Sequence, residues 1–198
     1  MTYPPKHHQD LDKNHMIEVI KSYPLAMLIS VKNNQPLITH LPLIYDDAND
    51  KLIGHIDKYN PQAELLKDDY KVTVIFSGPQ CYISPSIYTT TQLPTWNYIK
   101  VHLQGSVKLI RNNDLVMQSM INMTEFLEKP NHIYTLAPDN PRMEAAINYV
   151  KGFEITITHW EGKFKLSQDK NKKDMENARN ELIRFNQESI AEFLKTIF

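Results

Sequence analysis

Two apolar runs of strand length on either side of a short polar turn set the terms on which this chain can fold. LAMLISV, Leu25 to Val31, is followed by KNNQ and then by PLITHLPLIY, where Leu37, Thr39, Leu41 and Leu43 alternate with Ile38, His40 and Pro42. Alternation with a period of two around such a turn predicts a β-hairpin. The signature recurs in KLIGHI after the turn DDAND, in KVTVIFSG and CYIS, and in YIKVHLQGSVKLI. It is clearest in GFEITITHWEG, where Phe153, Ile155 and Ile157 share one face and Glu154, Thr156 and Thr158 the other. With about six strands, hairpin connections and no βαβ rhythm, the pattern predicts a mainly β (α+β) chain, an antiparallel barrel with peripheral helices.

The helices are shorter signals. Asp10 or Asp12 caps a helix through Lys21 with Met16, Ile17 and Ile20 on one face, and Pro24 ends it. Asn60-Pro61 has the form of an N-cap and N1 proline opening NPQAELL. Asn113 or Asp114 caps a helix to about Lys129, with Leu115, Met120, Ile121 and Phe126 or Leu127 on its buried side. A further short helix opens at Asn140-Pro141, and a terminal one spans about 174–198 with Leu182, Ile183, Ile190, Phe193 and Leu194 near one side.

The 198 residues are expected to form one domain, 1–198, with that terminal helix packed on it. A formal net charge of -1 and 23% charged residues exclude a broadly basic nucleic-acid surface, so any DNA contact has to be local or assisted by a partner. The single cysteine, Cys81, excludes an internal disulfide and fits a reducing compartment. MTYPPKHHQD lacks the apolar core of a signal peptide, and no run approaches the roughly 20 apolar residues of a membrane span. A cytoplasmic protein without membrane contact is the expectation.

Five widely spread glycines, Gly54, Gly78, Gly105, Gly152 and Gly162, rule out both the dinucleotide fingerprint and the Walker A loop. A bound phosphate therefore has to be held by side chains and helix N-termini. His55, Lys58, Asn60 and Gln62 surround the predicted helix start and are placed to converge on an anion, although a capped helix beside a solvated lysine satisfies the same sequence.

The stretch from Tyr82 to Gly105 crowds Tyr82, Tyr88, Trp96 and Tyr98 together with Ser84, Ser86, Thr89, Thr90, Thr91 and Thr95, and Pro85 and Pro94 stiffen it. That chemistry suits a flat ligand with polar edges. The eight histidines show no metal-binding spacing, and His7 and His8 are read as part of a mobile arm. No serine sits in a G-x-S-x-G elbow, and Cys81 has no cationic neighbour in sequence, so a nucleophilic enzyme is disfavoured. Lys170, Lys172 and Lys173 form a basic knot diluted by Asp169, Asp174 and Glu176, read as a solvated linker.

THLPL from Thr39, GHIDKYNPQ from Gly54, FSGPQCYISPSIY from Phe76, PTWNYIKVHLQG from Pro94 and KFKLSQ from Lys163, after a Tyr-x-Pro-like start, closely resemble the PaiB family of FMN-binding negative transcriptional regulators. The resemblance covers nearly the whole chain. It implies a homodimer of six-stranded antiparallel split β-barrels with FMN at the subunit interface. His40 and Leu41 are then implied to border the flavin, and His55, Lys58, Asn60 and Gln62 to hold its phosphate. Tyr82, Ser84 and Tyr88 would line one wall, Thr95, Trp96, Asn97 and Tyr98 would close the pocket, and Lys165, Ser167 and Gln168 would reach in from the late motif. Where the family usually reads Ser-Trp-Tyr this chain has Ser86-Ile87-Tyr88, an aliphatic side chain in place of an aromatic one.

Two functions follow from the resemblance. One is a regulator whose flavin senses redox state or a metabolite, contacting DNA through basic residues such as Lys170 to Lys173 and Arg179 gathered by dimerisation. The other is a flavin reductase-like oxidoreductase that takes a hydride from NAD(P)H. A barrel that holds no cofactor and uses the aromatic stretch as a dimer seam is a third reading of the same residues.

Overall fold

The structure, a computed structural model, describes residues 4–186 and 194–195. Its eight strands are β1 (Gln9–Asp10), β2 (Leu25–Lys32), β3 (Gln35–Pro42), β4 (Ile44–Asp46), β5 (Lys51–Asp57), β6 (Lys71–Ile83), β7 (Thr95–Ile110) and β8 (Val150–Lys165). Its helices are α1 (Lys13–Ser22), α2 (Asn113–Leu127), α3 (Pro141–Tyr149) and α4 (Lys172–Asn186). One sheet runs in the order β3-β2-β6-β7-β8-β5-β4, with β1 paired to β8. The mainly antiparallel class matches the expectation, and the strand count exceeds it because β1 and β4 are two- and three-residue strands too short to show a period.

Several boundaries differ from the sequence reading for identifiable reasons. KVTVIFSG and CYIS form the single strand β6, since its Gly78-Pro79 step stays in extended backbone and both residues are buried. PLITHLPLIY is broken at Leu43, whose N–H turns to the carbonyl of Pro24 at 2.9 Å and separates β3 from β4. α2 is capped by Asn112 and buries Val116, Ser119, Ile121 and Met123, whereas Leu115 is 60% exposed. Of the terminal helix, Ala178 and Leu182 are buried, while Ile190 and Phe193 lie outside the described residues.

Contacts divide the chain into two compact units, and β6, β7 and β8 each give one part to either. The unit of residues 24–75 and 103–159 holds the predicted hairpin. β2 and β3 pair from Leu25↔Pro42 to Lys32↔Gln35, and the turn residues Asn33 and Asn34 both have positive φ, 51° and 63°. Asparagine visits this left-handed region more readily than other residues with a side chain, and two such residues in succession match the right-handed twist of a hairpin. Ala26, Leu28, Leu43, Leu52, Phe153 and Ile155 fill this unit's core. Gly105 is required there, because a Cβ would collide with Ile155 and lie 2.7 Å from the carbonyl oxygen of Thr156.

The unit of residues 1–23, 76–102 and 160–198, within its described part, packs Ile20, Phe76, Ile83, Ile99 and Phe164. α1 is capped by Asp12, whose carboxylate accepts from Asn14 N at 2.8 Å, and it buries Met16, Val19 and Ile20. The arm before it is docked, contrary to the sequence reading. His8 is 8% exposed and its Nδ1 lies 3.1 Å from the amide oxygen of Gln168, which can only accept, so Nδ1 carries the proton. β1 then pairs Gln9↔Lys163 and Asp10↔Gly162.

Candidate functional site

The residues named from the sequence fall into two sets, one in each unit. In the unit of 24–75 and 103–159, His40 is exposed on β3 opposite Met27, and Leu41 is buried opposite Ala26. His55 stands on β5 opposite Gly152; burial lowers its pKa, and its Nδ1 is buried with no partner among the described residues. The predicted helix at Asn60-Pro61 is a single 3-10 turn, Pro61–Glu64. Asn60 caps it through Gln62 N at 2.9 Å and donates from Nδ2 to Thr39 Oγ1 at 3.0 Å.

The four residues expected to meet at an anion point in different directions here. Exposed Lys58 donates from Nζ to the carbonyls of Asn148, at 2.8 Å, and Ile147, at 3.4 Å, while its backbone N–H bonds Tyr149 O at 2.8 Å. It thus satisfies carbonyls that the end of α3 leaves open. Gln62 is 1% exposed, and its Nε2 donates to Leu28 O at 3.1 Å and Ser30 Oγ at 2.9 Å. The Gln62 amide ties the 3-10 turn to β2, and its buried Oε1 has no partner among the described residues.

In the other unit two aromatic side chains of the named set stand exposed. Tyr82 and Trp96 are 48% and 47% exposed, and their rings lie 6.4 Å apart at 59°. Half-buried Tyr98 follows on the same face of β7 as Trp96. Ser84 caps the 3-10 turn Pro85–Ile87 and contacts Ser86 Oγ at 2.8 Å. Ile87, the aliphatic departure, is half-buried, and its carbonyl accepts from Asn177 Nδ2 of α4 at 2.7 Å.

Behind this wall lies a connected polar network. Tyr88 Oη and Ser167 Oγ are 2.9 Å apart, and Asn97 Nδ2 donates to Ser167 Oγ at 3.1 Å. Asn97 and Ser167 are 1% and 3% exposed, and Ser167 holds a φ of 64°, a conformation that costs a non-glycine residue. Lys165 donates to Thr95 Oγ1 at 2.6 Å. Gln168 accepts from Leu166 N at 2.7 Å and donates to Phe164 O, which closes the turn after β8. Of the residues named from the sequence, the fold joins Tyr88, Ser167 and Asn97 in one hydrogen-bonded group and Lys165 with Thr95 in another, while Gln168 bonds to His8 and to the turn after β8.

One residue that holds this wall was misread. Asp174, taken for part of a solvated linker, is fully buried at the start of α4. Its carboxylate accepts from Thr89 N at 2.6 Å, from the Thr89 and Thr90 hydroxyls at 2.8 Å and from Asn171 Nδ2 at 2.9 Å. Burial pushes the Asp174 carboxyl up, but these hydrogen bonds, led by that from Thr89 N, outweigh it and hold the pKa below its ordinary value. Nothing local in the sequence announces a contact across 85 residues. By contrast Lys170 and Lys173 of the basic knot pair with Asp169 and Glu176 at 2.7 and 3.0 Å. Cys81 is buried, and burial followed by the charge of Glu181 pushes its thiol up to about 11, which removes it from nucleophilic chemistry.

The mainly antiparallel sheet with its peripheral helices is of the split-barrel class found in flavin-binding proteins. Residues 2–159 match the family described as "Putative FMN-binding domain", and the chain belongs to that family, whose cofactor is FMN. Among curated relatives it is 26% identical over 183 residues to the Bacillus subtilis (strain 168) "Protease synthase and sporulation protein PAI 2", covering 91% of this chain and 88% of that protein. It is also 27% identical over 206 residues to the Emericella nidulans protein AN0679, covering 81% and 82%. The fold resembles that of the flavocytochrome Anf3 from Azotobacter vinelandii, with a TM-score of 0.67, 16% identity and coverage of 87% and 78%. It also resembles the FAD and heme binding protein from Mycobacterium smegmatis, with a TM-score of 0.66, 14% identity and coverage of 85% and 79%.

The residues present fit FMN. Exposed ring faces at Tyr82 and Trp96 offer stacking surface for a flat ring system. No helix among the described residues is long and apolar enough to cross a membrane.

Proposed function

We propose that this protein is a homodimeric, PaiB-type negative transcriptional regulator whose bound FMN reports redox state or a metabolite. The observation that carries the reading is the alignment with the Bacillus subtilis protein along nearly the full length of both chains. When bound, FMN supplies a ring that accepts and returns electrons. The chain's part is to hold and shield that ring. Tyr82, Trp96 and Tyr98 offer it apolar faces, and the Tyr88–Ser167–Asn97 network fixes the wall behind them. Lys58 is the phosphate partner in this reading, and it has to exchange the α3 carbonyls for the anion, while Asn60 and Gln62 hold the neighbouring turn through Thr39, Leu28 and Ser30. Exposed His40 borders the ring from β3 in this reading, and Leu41, whose side chain is buried on the opposite face, contributes through its backbone.

The homodimer is supported by an apolar sheet face in the unit of 24–75 and 103–159. Leu25, Val31 and Ile38 are 60%, 57% and 50% exposed on the paired strands β2 and β3, Ile29 stands opposite Ile38, and Ile29 and Val31 line a recess of about 910 Å³. A contiguous apolar face of this kind is expected to be covered in solution.

Retention of promoter DNA by the FMN-loaded protein, falling steeply with salt, tests the regulator. Stopped-flow bleaching of the flavin by NADH or NADPH with turnover, and no DNA retention, would instead make it an FMN-dependent oxidoreductase. Lys58→Ala is expected to weaken FMN by about 1–3 kcal/mol, the range of a charge-assisted hydrogen bond, and to leave riboflavin unaffected. Unchanged FMN affinity would leave Lys58 with its structural bonds to the end of α3.

A further inference from the structure

One residue beyond the end of β5 closes the far end of α3, within the unit of 24–75 and 103–159. Exposed Lys58 gives its backbone N–H to Tyr149 O at 2.8 Å and its ammonium to Asn148 O at 2.8 Å and Ile147 O at 3.4 Å. These are three consecutive carbonyls in the last turn of α3, where a helix has no internal donor left to offer. A cation there also meets the negative end of the helix dipole. Tyr59 and Tyr149 meet at the same junction, with rings 6.2 Å apart.

Packing holds α3 only lightly. It spans nine residues, and Met143 is its buried residue. A helix of this length is marginal without tertiary support. Between α3 and the start of α2 lies a recess of about 440 Å³ lined by Asn113, Asp114, Met117, Glu144 and Ile147, so this side of the helix is incompletely filled.

The Lys58 side of the junction is firmer. Asp57 pairs with Val150, Asn60 caps the 3-10 turn through Gln62 N, and Lys151 of β8 donates to Ala63 O at 2.6 Å and to Leu66 O at 3.3 Å. These bonds do not use the Lys58 ammonium. When that ammonium leaves the carbonyls, the helix end loosens and the turn stays in place.

We propose that Lys58 is a latch on α3 that an anion opens. The inference rests on the reading of Lys58 as the FMN phosphate partner and adds how that site is coupled to the rest of the chain. A phosphate adds the attraction of a full negative charge to the hydrogen bond that a neutral carbonyl gives, so it draws the ammonium from Ile147 and Asn148. The two carbonyls turn to water, and the last turn of α3 frays. FMN occupancy is thereby reported at a surface helix. By linkage the coupling runs both ways, so whatever loosens the end of α3 favours FMN.

Hydrogen exchange of the full-length protein, read by mass spectrometry over residues 141–149, tests the latch. FMN is expected to speed exchange in the last turn of α3 about two- to fivefold, as loss of a cation at a helix C-terminus requires, whereas riboflavin, which lacks the phosphate, leaves it unchanged. Speeding is opposite in sign to the general slowing that a bound ligand brings. Lys58→Met is expected to speed the same amides by the same factor with no ligand present. Ala146→Gly, in that last turn, is expected to tighten FMN several-fold, a gain that misfolding cannot produce. Uptake of FMN with α3 exchange unchanged or slowed would overturn the latch and leave the FMN reading standing. Unchanged exchange in Lys58→Met, or FMN affinity that is equal or weaker in Ala146→Gly, would overturn it as well. Protein that takes up no flavin, seen directly in its absorbance after dialysis, would sink the FMN reading and the latch with it.

Discussion

Gln62 separates an architectural residue from a ligand contact, and its truncation gives a measurable answer. Its side chain is 1% exposed and makes two hydrogen bonds, to Leu28 O and to Ser30 Oγ, the latter on a residue that is itself 1% exposed. Gln62→Ala removes both bonds, each worth about 1 kcal/mol net, and strands the Leu28 carbonyl and Ser30 hydroxyl at a further cost of about 1–2 kcal/mol together. The expected destabilisation is thus about 3–4 kcal/mol. Gln62→Met keeps most of the volume and also removes the partnerless Oε1, so its cost is expected to be smaller, about 1–2 kcal/mol. Urea unfolding of the full-length variants at unchanged m-value measures both. A Gln62→Ala midpoint equal to the wild type would mean that the bonds to Leu28 and Ser30 carry no stability. A Gln62→Met protein that is fully folded yet has lost FMN would make the amide a ligand contact.

Two other groups offer independent tests. The Asp174 carboxyl has a folded-state pKa below its ordinary value near 4, so the stability it supplies is fully present above about pH 4 and is lost as pH falls through the folded pKa. Melting temperature measured from pH 6 to pH 2 is therefore expected to fall less steeply below about pH 4 in Asp174→Asn than in the wild type; parallel curves would mean that the Thr89–Thr90 clamp does not form. Buried Cys81, with its thiol raised to about 11, is expected to resist a thiol reagent at pH 8 until the protein is unfolded, and rapid labelling of the native protein would contradict its placement.

The period-two runs made the hairpin legible, because β2 and β3 expose opposite faces to opposite environments and Asn33 and Asn34 suit the turn they form. The caps at Asp12, Asn60 and Asn140 were equally legible, since a side chain that accepts from an N–H two residues on is a local event. Burial direction was harder. Leu115 looked like core and is exposed, whereas Val116 and Met123 carry the buried face of α2, because what packs on a helix is decided by its neighbours. In the candidate site the crowding of aromatic residues from Tyr82 to Tyr98 is visible along the sequence, and Tyr82 and Trp96 are exposed in the fold. The contacts of Asp174 with Thr89, of Ser167 with Tyr88 and of His8 with Gln168 are not visible there, as each joins residues tens of positions or more apart. Gln62 shows the opposite limit. Its place in a family motif suggested a ligand, and its burial shows the amide bonded to β2.

Direct titration of the freshly purified, flavin-stripped protein with FMN tests whether this chain holds the cofactor. Saturable uptake of one FMN per chain is expected, with a quenched Trp96 fluorescence signal and a smaller quench in Trp96→Phe. Folded protein that binds no FMN at any ratio would contradict it.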